Sequence, residues 1–218
     1  MKALIFDLDG TLIDSLADLA EAVNRMLAAN GYPTAPLSVF PEYIGDGVKA
    51  LVSRALPAEV LEREDLDARV AEYQGHYADT WRDKTVPYPG VIETLNELQS
   101  RGLKLAVLSN KPHRFTLLCV HHFFPSIAFA SVLGARDGVA RKPDPAGALE
   151  IAATLGVAAE ECAYIGDSGI DMETATRAGM LPVGVRWGFR SEEELRAHGA
   201  KEMLSHAQEL LRLVSAAA

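Results

Sequence analysis

The chain has 218 residues, 49% of them hydrophobic, so it is long enough to bury a core in one large or two modest domains. Its formal net charge of -9 argues against a broad nucleic-acid surface and against electrostatic binding to anionic membranes. The short apolar run near Met1 does not fit a signal peptide, and no later stretch approaches the ~18 apolar residues of a membrane span. We therefore expect a cytoplasmic protein.

The first predicted strand, residues 3–8, ends in a polar sequence. Asp7 and Asp9 are separated by one leucine and are followed by Gly10 and Thr11. Because ligands bind beyond the carboxyl ends of parallel strands, these residues are site candidates. Gly10 also fits a tight turn that needs a positive φ, and Thr11 fits a cap of that turn.

The segment after this strand is too long for a simple crossover. About 95 residues precede the next predicted strand, whereas a crossover helix needs little more than a dozen. Ser15 and Asp18 form a capping-box pattern before one amphipathic run, and residues 66–81 form another. We predict a helical cap domain at residues 15–83, inserted into a core domain made of residues 1–14 and 84–218.

Within the cap, Gly45, Asp46 and Gly47 lead into a predicted helix with Lys49 in its first turn. The N–H groups at a helix start can receive a carboxylate or a second phosphate, which makes Lys49 a candidate substrate-binding residue. The alternative is an ordinary N-cap at Asp46 with a solvated lysine. The sequence leaves both interpretations open.

After the insertion, apolar runs predict strands at 103–108, 162–165 and 181–185, with a further candidate at 127–133. Helical periodicity between the runs indicates βαβ units and a mainly parallel sheet. Polar residues follow the predicted strand ends or precede a helix, and we expect them to converge with Asp7 and Asp9: Ser109, Asn110, Lys142, Asp167 and Asp171.

Four aspartates in one pocket would repel each other unless a cation lies among them. Carboxylate oxygens without histidine or cysteine neighbours indicate Mg²⁺, which keeps open coordination positions for a phosphate oxygen. Lys142 adds positive charge, and Ser109 and Asn110 add neutral donors. The predicted site therefore suits an anionic ligand bound beside a metal ion.

Four motifs, in order, resemble those of the haloacid dehalogenase superfamily: DLDGT at 7–11, SN at 109–110, the lysine of RKPDP, and GDSGID at 166–171. The resemblance implies an α/β fold with a Rossmann-like parallel sheet core and an inserted helical cap that closes over the site. It also implies a phosphatase. The superfamily's dehalogenases and phosphonate hydrolases lack an aspartate at the position of Asp9.

The resemblance further implies a role for each matched residue. Asp7 would be the nucleophile that forms an aspartyl-phosphate, and Asp9 the general acid and base. Mg²⁺ would be bound by Asp7, the backbone carbonyl of Asp9 and Asp167, with Asp171 in contact directly or through water. The remaining candidates would bind the transferring phosphoryl group: Lys142, Ser109, Asn110, Gly10 and Thr11.

Within the superfamily the chain most resembles the phosphoglycolate phosphatase branch, through FDLDGTLIDS, IGDGVKALVSRAL, SNKP and GVRWGF. The implied substrate is a small phosphorylated metabolite, first of all 2-phosphoglycolate, and both a monomer and a homodimer remain open. Alternatives are a phosphatase for pyrophosphate or a sugar phosphate, a phosphomutase of the same superfamily, and a signalling receiver domain. Trp187 and Gly188 also fit plain packing at the sheet edge.

Overall fold

The structure is a computed structural model that describes residues 1–61 and 65–214. The chain divides into two compact units, unit 1 (Met1–Ile13 with Pro87–Ala218) and unit 2 (Asp14–Val86). In the described ranges no helix has the length and apolar character needed to cross a bilayer.

Eight strands are present in the described residues: β1 (Ala3–Phe6), β2 (Ile13–Asp14), β3 (Val86–Pro87), β4 (Lys104–Pro112), β5 (Ser131–Ala135), β6 (Cys162–Gly166), β7 (Leu181–Val185) and β8 (Glu202–Leu204). Six of them form one sheet in the order β5-β4-β1-β6-β7-β8, and all its neighbouring strands are parallel. The short strands β2 and β3 form a separate pair.

Nine α-helices accompany these strands in the described residues: α1 (Leu16–Ala29), α2 (Phe40–Tyr43), α3 (Val48–Ala55), α4 (Leu66–Thr80), α5 (Val91–Ser100), α6 (His113–Phe123), α7 (Ala146–Leu155), α8 (Gly169–Ala178) and α9 (Glu192–Ala197). Helices α1 to α4 belong to unit 2, and the others belong to unit 1. The predicted α/β core with a parallel sheet is confirmed.

The register of the central strands decides where the site forms. On β1, Phe6 is paired with Val107 of β4 on one side and with Ile165 of β6 on the other. All four residues of β1 are buried, as expected for a strand covered on both faces. The polar residues that follow these three strands therefore meet at one edge of the sheet.

Several local predictions are corrected by the structure. The strand predicted at 127–133 is β5, which begins at Ser131, and β4 continues to Pro112 instead of ending at residue 108. The three-residue strand β8 has no clear sequence signal because it is short and begins with a glutamate.

The capping box predicted for α1 is wrong, because the side chain of Ser15 makes no cap hydrogen bond. The carboxylate of Asp18 is buried and accepts hydrogen bonds from the backbone of Lys84 and Thr85 and from the Thr85 hydroxyl, the last at 2.6 Å. These donors, far away in sequence, satisfy a buried carboxylate more fully than one N-cap group could.

The N-cap at Asp46, one of the two interpretations that the sequence leaves open, is not formed. Gly47, with φ of 90°, occupies the N-cap position of α3, and the carboxylate of Asp46 lies 2.5 Å from the Arg54 guanidinium instead. The start of α3 therefore has no side-chain cap from Asp46, and the Asp46 carboxylate beside it is already paired with Arg54.

Candidate active site

Three buried carboxylates gather at the carboxyl edge of the sheet in unit 1. Asp7 follows β1 and donates its N–H to the carbonyl of Ile165, at 2.9 Å. Asp167 and Asp171 follow β6, and the three side chains offer oxygens that all lie within 4.8 Å of one another. The predicted convergence of these three residues is therefore present in the structure.

Lys142 lies among these carboxylates. Its Nζ is 2.7 Å from Oδ1 of Asp171 and 2.9 Å from Oδ1 of Asp7, and its side chain is 3% exposed. The ring of Tyr164 lies 5.6 Å from Nζ, at a distance that suits a cation–π contact. Burial opposes the charge of the lysine, but Asp171 and Asp7 hold the pKa of Lys142 well above its ordinary value.

Asn110 holds the backbone of Lys142. Its Nδ2 donates to the Lys142 carbonyl at 3.1 Å, and its Oδ1 accepts from the Lys142 N–H at 3.0 Å. Ser109 is buried beside it, and its hydroxyl oxygen accepts from the N–H of Lys111 at 3.3 Å. The structure thus shows Asn110 positioning the lysine, and any contact of Ser109 or Asn110 with a phosphoryl group stays a prediction.

Asp167 is fixed from two sides. The Thr11 hydroxyl donates to Oδ1 at 3.0 Å, and the backbone N–H of Phe189 donates to Oδ2 at 2.8 Å. The indole of Trp187 in turn donates to the Thr11 carbonyl at 3.0 Å. The sequence predicts substrate binding for Thr11 and is compatible with plain packing of Trp187, whereas in the structure both residues belong to the hydrogen-bond network around Asp167.

Two glycines let the backbone approach Asp167. Gly10 has φ of 83°, and a Cβ at either Gly10 or Gly188 would overlap atoms of Asp167. Gly10 therefore serves the tight turn predicted for it and also makes room for a carboxylate.

Gly188→Ala is expected to weaken divalent-metal binding and to lower kcat, because the new methyl group would displace Asp167 and the Gly10 carbonyl. Metal titration by calorimetry and steady-state kinetics measure both effects. Gly75→Ala is the control, since that helical position has open space, and it should stabilise the fold by up to about 1 kcal/mol. Unchanged metal affinity in Gly188→Ala would contradict this role.

Asp171 is held by α8 and by Lys142. Its Oδ2 accepts from the N–H and the hydroxyl of Ser168, at 3.1 and 2.6 Å, as part of a capping box at the start of α8. Its Oδ1 accepts from Lys142. Both carboxylate oxygens thus have donors within the protein, which suits a residue that anchors the lysine close to a metal ion.

The electrostatics of the cluster favour a cation. Burial and the neighbouring carboxylates of Asp171 and Asp7 raise the pKa of Asp167 to about 8. Burial, countered by Lys142 and reinforced by Asp171, raises the pKa of Asp7 to about 6. Oδ1 of Asp7 is buried, and no group in the described part of the chain forms an aligned hydrogen bond with it, despite the nearby Lys142. These oxygen donors fit a hard divalent ion.

Asp167→Asn is expected to stabilise the metal-free protein at pH 8. In the unfolded chain Asp167 loses its proton near its ordinary pKa of 3.8, whereas in the folded chain it does so near 8. Its contribution to stability therefore falls as the pH rises between these values. Asparagine removes that loss, so we expect a gain of about 1–3 kcal/mol at pH 8 and little change at pH 4.

Urea denaturation in EDTA at the two pH values measures this difference. The exposed Asp137 offers a matched control, since Asp137→Asn should change the unfolding free energy little at either pH. An equal change in Asp167→Asn at both pH values would show that its charge is not the cause.

Asp9 has a partner, Lys111, that the sequence does not predict. The Nζ of Lys111 lies 2.8 and 3.0 Å from the two carboxylate oxygens of Asp9, and both side chains are largely buried. The only signal was the SNKP stretch, in which a lysine is normally taken as solvated. Lys49 lies in unit 2, where its ammonium binds the Asp67 carboxylate at 2.7 Å in an exposed position.

A parallel α/β sheet whose carboxyl edge holds three buried carboxylates and a buried lysine defines a class of enzyme that binds a metal ion and an anionic substrate. Residues 4–185 match the family model of haloacid dehalogenase-like hydrolases. The chain belongs to this family. It is a phosphatase close to the phosphoglycolate phosphatases, and phosphatases of the family use a metal ion.

Similar proteins cover nearly the whole chain. The phosphoglycolate phosphatase of Pseudomonas putida is 35% identical to this chain over 96% of this chain and 78% of its own length. The phosphoglycolate phosphatase of Psychrobacter arcticus is 36% identical over 89% of this chain and 87% of its own length. A crystal structure from Lactobacillus delbrueckii subsp. bulgaricus has a TM-score of 0.90 at 33% identity over 97% of each chain. The crystal structure of a predicted phosphoglycolate phosphatase from Haemophilus somnus has a TM-score of 0.87 at 26% identity, over 98% of this chain and 97% of that chain.

Proposed function

We propose that this phosphatase hydrolyses 2-phosphoglycolate to glycolate and phosphate, with Mg²⁺ as cofactor and an aspartyl-phosphate on Asp7 as intermediate. The observation that carries the proposal is the placement of Lys142 within 2.9 Å of Asp7, beside Asp167 and Asp171. This arrangement combines a nucleophile, a charge-neutralising ammonium group and a set of oxygen ligands.

The residues that would hold Mg²⁺ are Asp7, Asp167 and the backbone carbonyl of Asp9, with Asp171 directly or through water. Bound there, the ion would offset the carboxylate charge and polarise the phosphoryl oxygens. Thr11 and Phe189 keep Asp167 oriented for this task, since each donates to a different oxygen of its carboxylate.

The chemistry runs in two steps. A carboxylate oxygen of Asp7 attacks phosphorus, the bond to the ester oxygen breaks, and Asp9 gives a proton to the departing alkoxide. Lys142 offsets negative charge on the phosphoryl oxygens beside Asp7. Asp9 then takes a proton from a water molecule that attacks phosphorus, which releases phosphate and restores Asp7.

The choice of 2-phosphoglycolate is supported by the names of relatives that align along most of the chain. The proteins of Pseudomonas putida and Psychrobacter arcticus both carry the name phosphoglycolate phosphatase at 35 and 36% identity. The stretches SNKP and GVRWGF, which resemble that branch, also support the choice. Lys111 contacts Asp9, the Trp187 indole donates to the Thr11 carbonyl, and the Phe189 N–H donates to Asp167.

A panel of phosphate compounds tests the proposal, with 2-phosphoglycolate, pyrophosphate, glucose 1-phosphate and p-nitrophenyl phosphate compared by kcat/KM. We expect 2-phosphoglycolate to have the highest value in Mg²⁺ and EDTA to abolish turnover. A higher value for pyrophosphate or the sugar phosphate would overturn the substrate. Isomerisation of glucose 1-phosphate in the presence of its bisphosphate, without release of free phosphate, would indicate a mutase.

A further inference from the structure

A second buried lysine lies at the end of the site that is occupied by the proposed acid. Both carboxylate oxygens of Asp9 contact the Lys111 ammonium, and the side chain of Lys111 is 3% exposed. Within residues 1–61 and 65–214, Lys111 and Lys142 are the buried basic residues. Burying an ammonium group is costly even when it is paired, so the position of Lys111 needs an explanation.

The end of β4 is distorted in a way that brings Lys111 into the site. Leu108 is paired with Leu133 and Pro112 with Ala135, so four steps along β4 match only two along β5. The three residues in this irregular stretch are all buried, although a regular strand would alternate their faces. The Thr116 hydroxyl donates to the carbonyl of Lys111 and fixes the backbone there.

The two buried lysines contact different carboxylates of the site. Lys142 contacts Asp7 and Asp171, at the nucleophile, whereas Lys111 contacts Asp9, the proposed acid. In a phosphoryl transfer the attacking and leaving oxygens lie roughly in line on opposite sides of phosphorus. The ammonium group of Lys111 is therefore beside the leaving group.

We propose that Lys111 binds an anionic group of the substrate. This group belongs to the leaving group and lies close to the ester oxygen. Lys111 is then the specificity residue for phosphate esters of small hydroxy acids. This inference rests on the proposed function, since it takes Asp9 as the group that contacts the ester oxygen. In 2-phosphoglycolate the carboxylate carbon is two bonds from that oxygen, so a carboxylate oxygen lies about 3 Å from it, close to one hydrogen-bond length. That separation is close to the 2.8 Å between Nζ of Lys111 and Oδ1 of Asp9, so one group could contact the ester oxygen while the other contacts the carboxylate.

Two substrates that differ in one charge separate recognition from the orientation of Asp9. We compare 2-phosphoglycolate with 2-hydroxyethyl phosphate, which is nearly the same size and has a neutral leaving group, in wild type, Lys111→Met and Lys111→Arg. The ratio of their kcat/KM values should fall at least about ten-fold in Lys111→Met, mainly through KM for 2-phosphoglycolate. Lys111→Arg should recover part of the lost ratio, because it keeps the positive charge. The exposed Lys201 provides the control Lys201→Met, which should leave the ratio unchanged.

A wild-type ratio that persists in Lys111→Met would overturn the inference, because a lysine that only orients Asp9 lowers kcat on both substrates alike. That result leaves the proposed function intact. If circular dichroism shows that Lys111→Met does not fold, Lys111→Gln gives the same comparison. A wild type that turns over both substrates equally contradicts the preference for 2-phosphoglycolate, and one that hydrolyses neither in Mg²⁺ contradicts the proposed function itself.

Discussion

Asp7→Asn is expected to lower kcat by about four orders of magnitude or more while the fold persists. The amide keeps the shape of the carboxylate, but its oxygen is too weak a nucleophile to attack phosphorus. Lys142 still has an ion pair with Asp171 at 2.7 Å, so the buried ammonium group keeps a counter-charge. Phosphate release from 2-phosphoglycolate and from p-nitrophenyl phosphate measures the loss.

The control for this variant is Asp137→Asn, an exposed aspartate of unit 1 that should retain wild-type kcat. Circular dichroism and thermal unfolding establish that both variants are folded. Substantial turnover in a well-folded Asp7→Asn protein would count against the covalent mechanism.

Lys142→Met is expected to lower both activity and stability. Asp7 and Asp171 would remain buried without their shared counter-charge, so the unfolding free energy in EDTA should fall by about 3–5 kcal/mol at pH 8. The loss of charge beside the phosphoryl group should lower kcat by about three orders of magnitude. Urea denaturation and phosphate release measure the two effects.

A surface ion pair provides the matched control for Lys142. Lys2 binds Glu161 at the same distance, 2.7 Å, as Lys142 binds Asp171, but its side chain is 68% exposed. Lys2→Met should therefore cost less than about 1 kcal/mol. If the two substitutions cost the same, burial does not determine the contribution of Lys142.

The parts of the fold that could be predicted are those with a local signal. The central strands are apolar runs, and because their carboxyl ends lie at one edge of a parallel sheet, Asp7 and Asp167 could be expected to meet. The length of the insertion likewise indicated a second compact unit. Errors concern ends of elements, as at β4, where the strand continues through three buried polar residues that do not alternate.

The parts of the site that could not be predicted depend on contacts between distant residues. Thr11 donates to Asp167 across 156 positions, and the Phe189 N–H that holds the same carboxylate is a backbone group with no sequence signal. The place of Lys111 in the site could not be predicted for another reason. Lysine is rarely buried, so a single lysine in a polar stretch is read as solvated unless its partner is known.

Trapping the covalent intermediate tests the central claim most directly. Wild-type protein is mixed with 2-phosphoglycolate labelled with ³²P in Mg²⁺, quenched in acid, and digested for mass spectrometry after borohydride reduction of the acyl phosphate. We expect label on the wild-type protein, with reduction at Asp7 and at no other carboxylate, and no label in Asp7→Asn. Turnover without labelled protein, or label on a different residue, would contradict that claim.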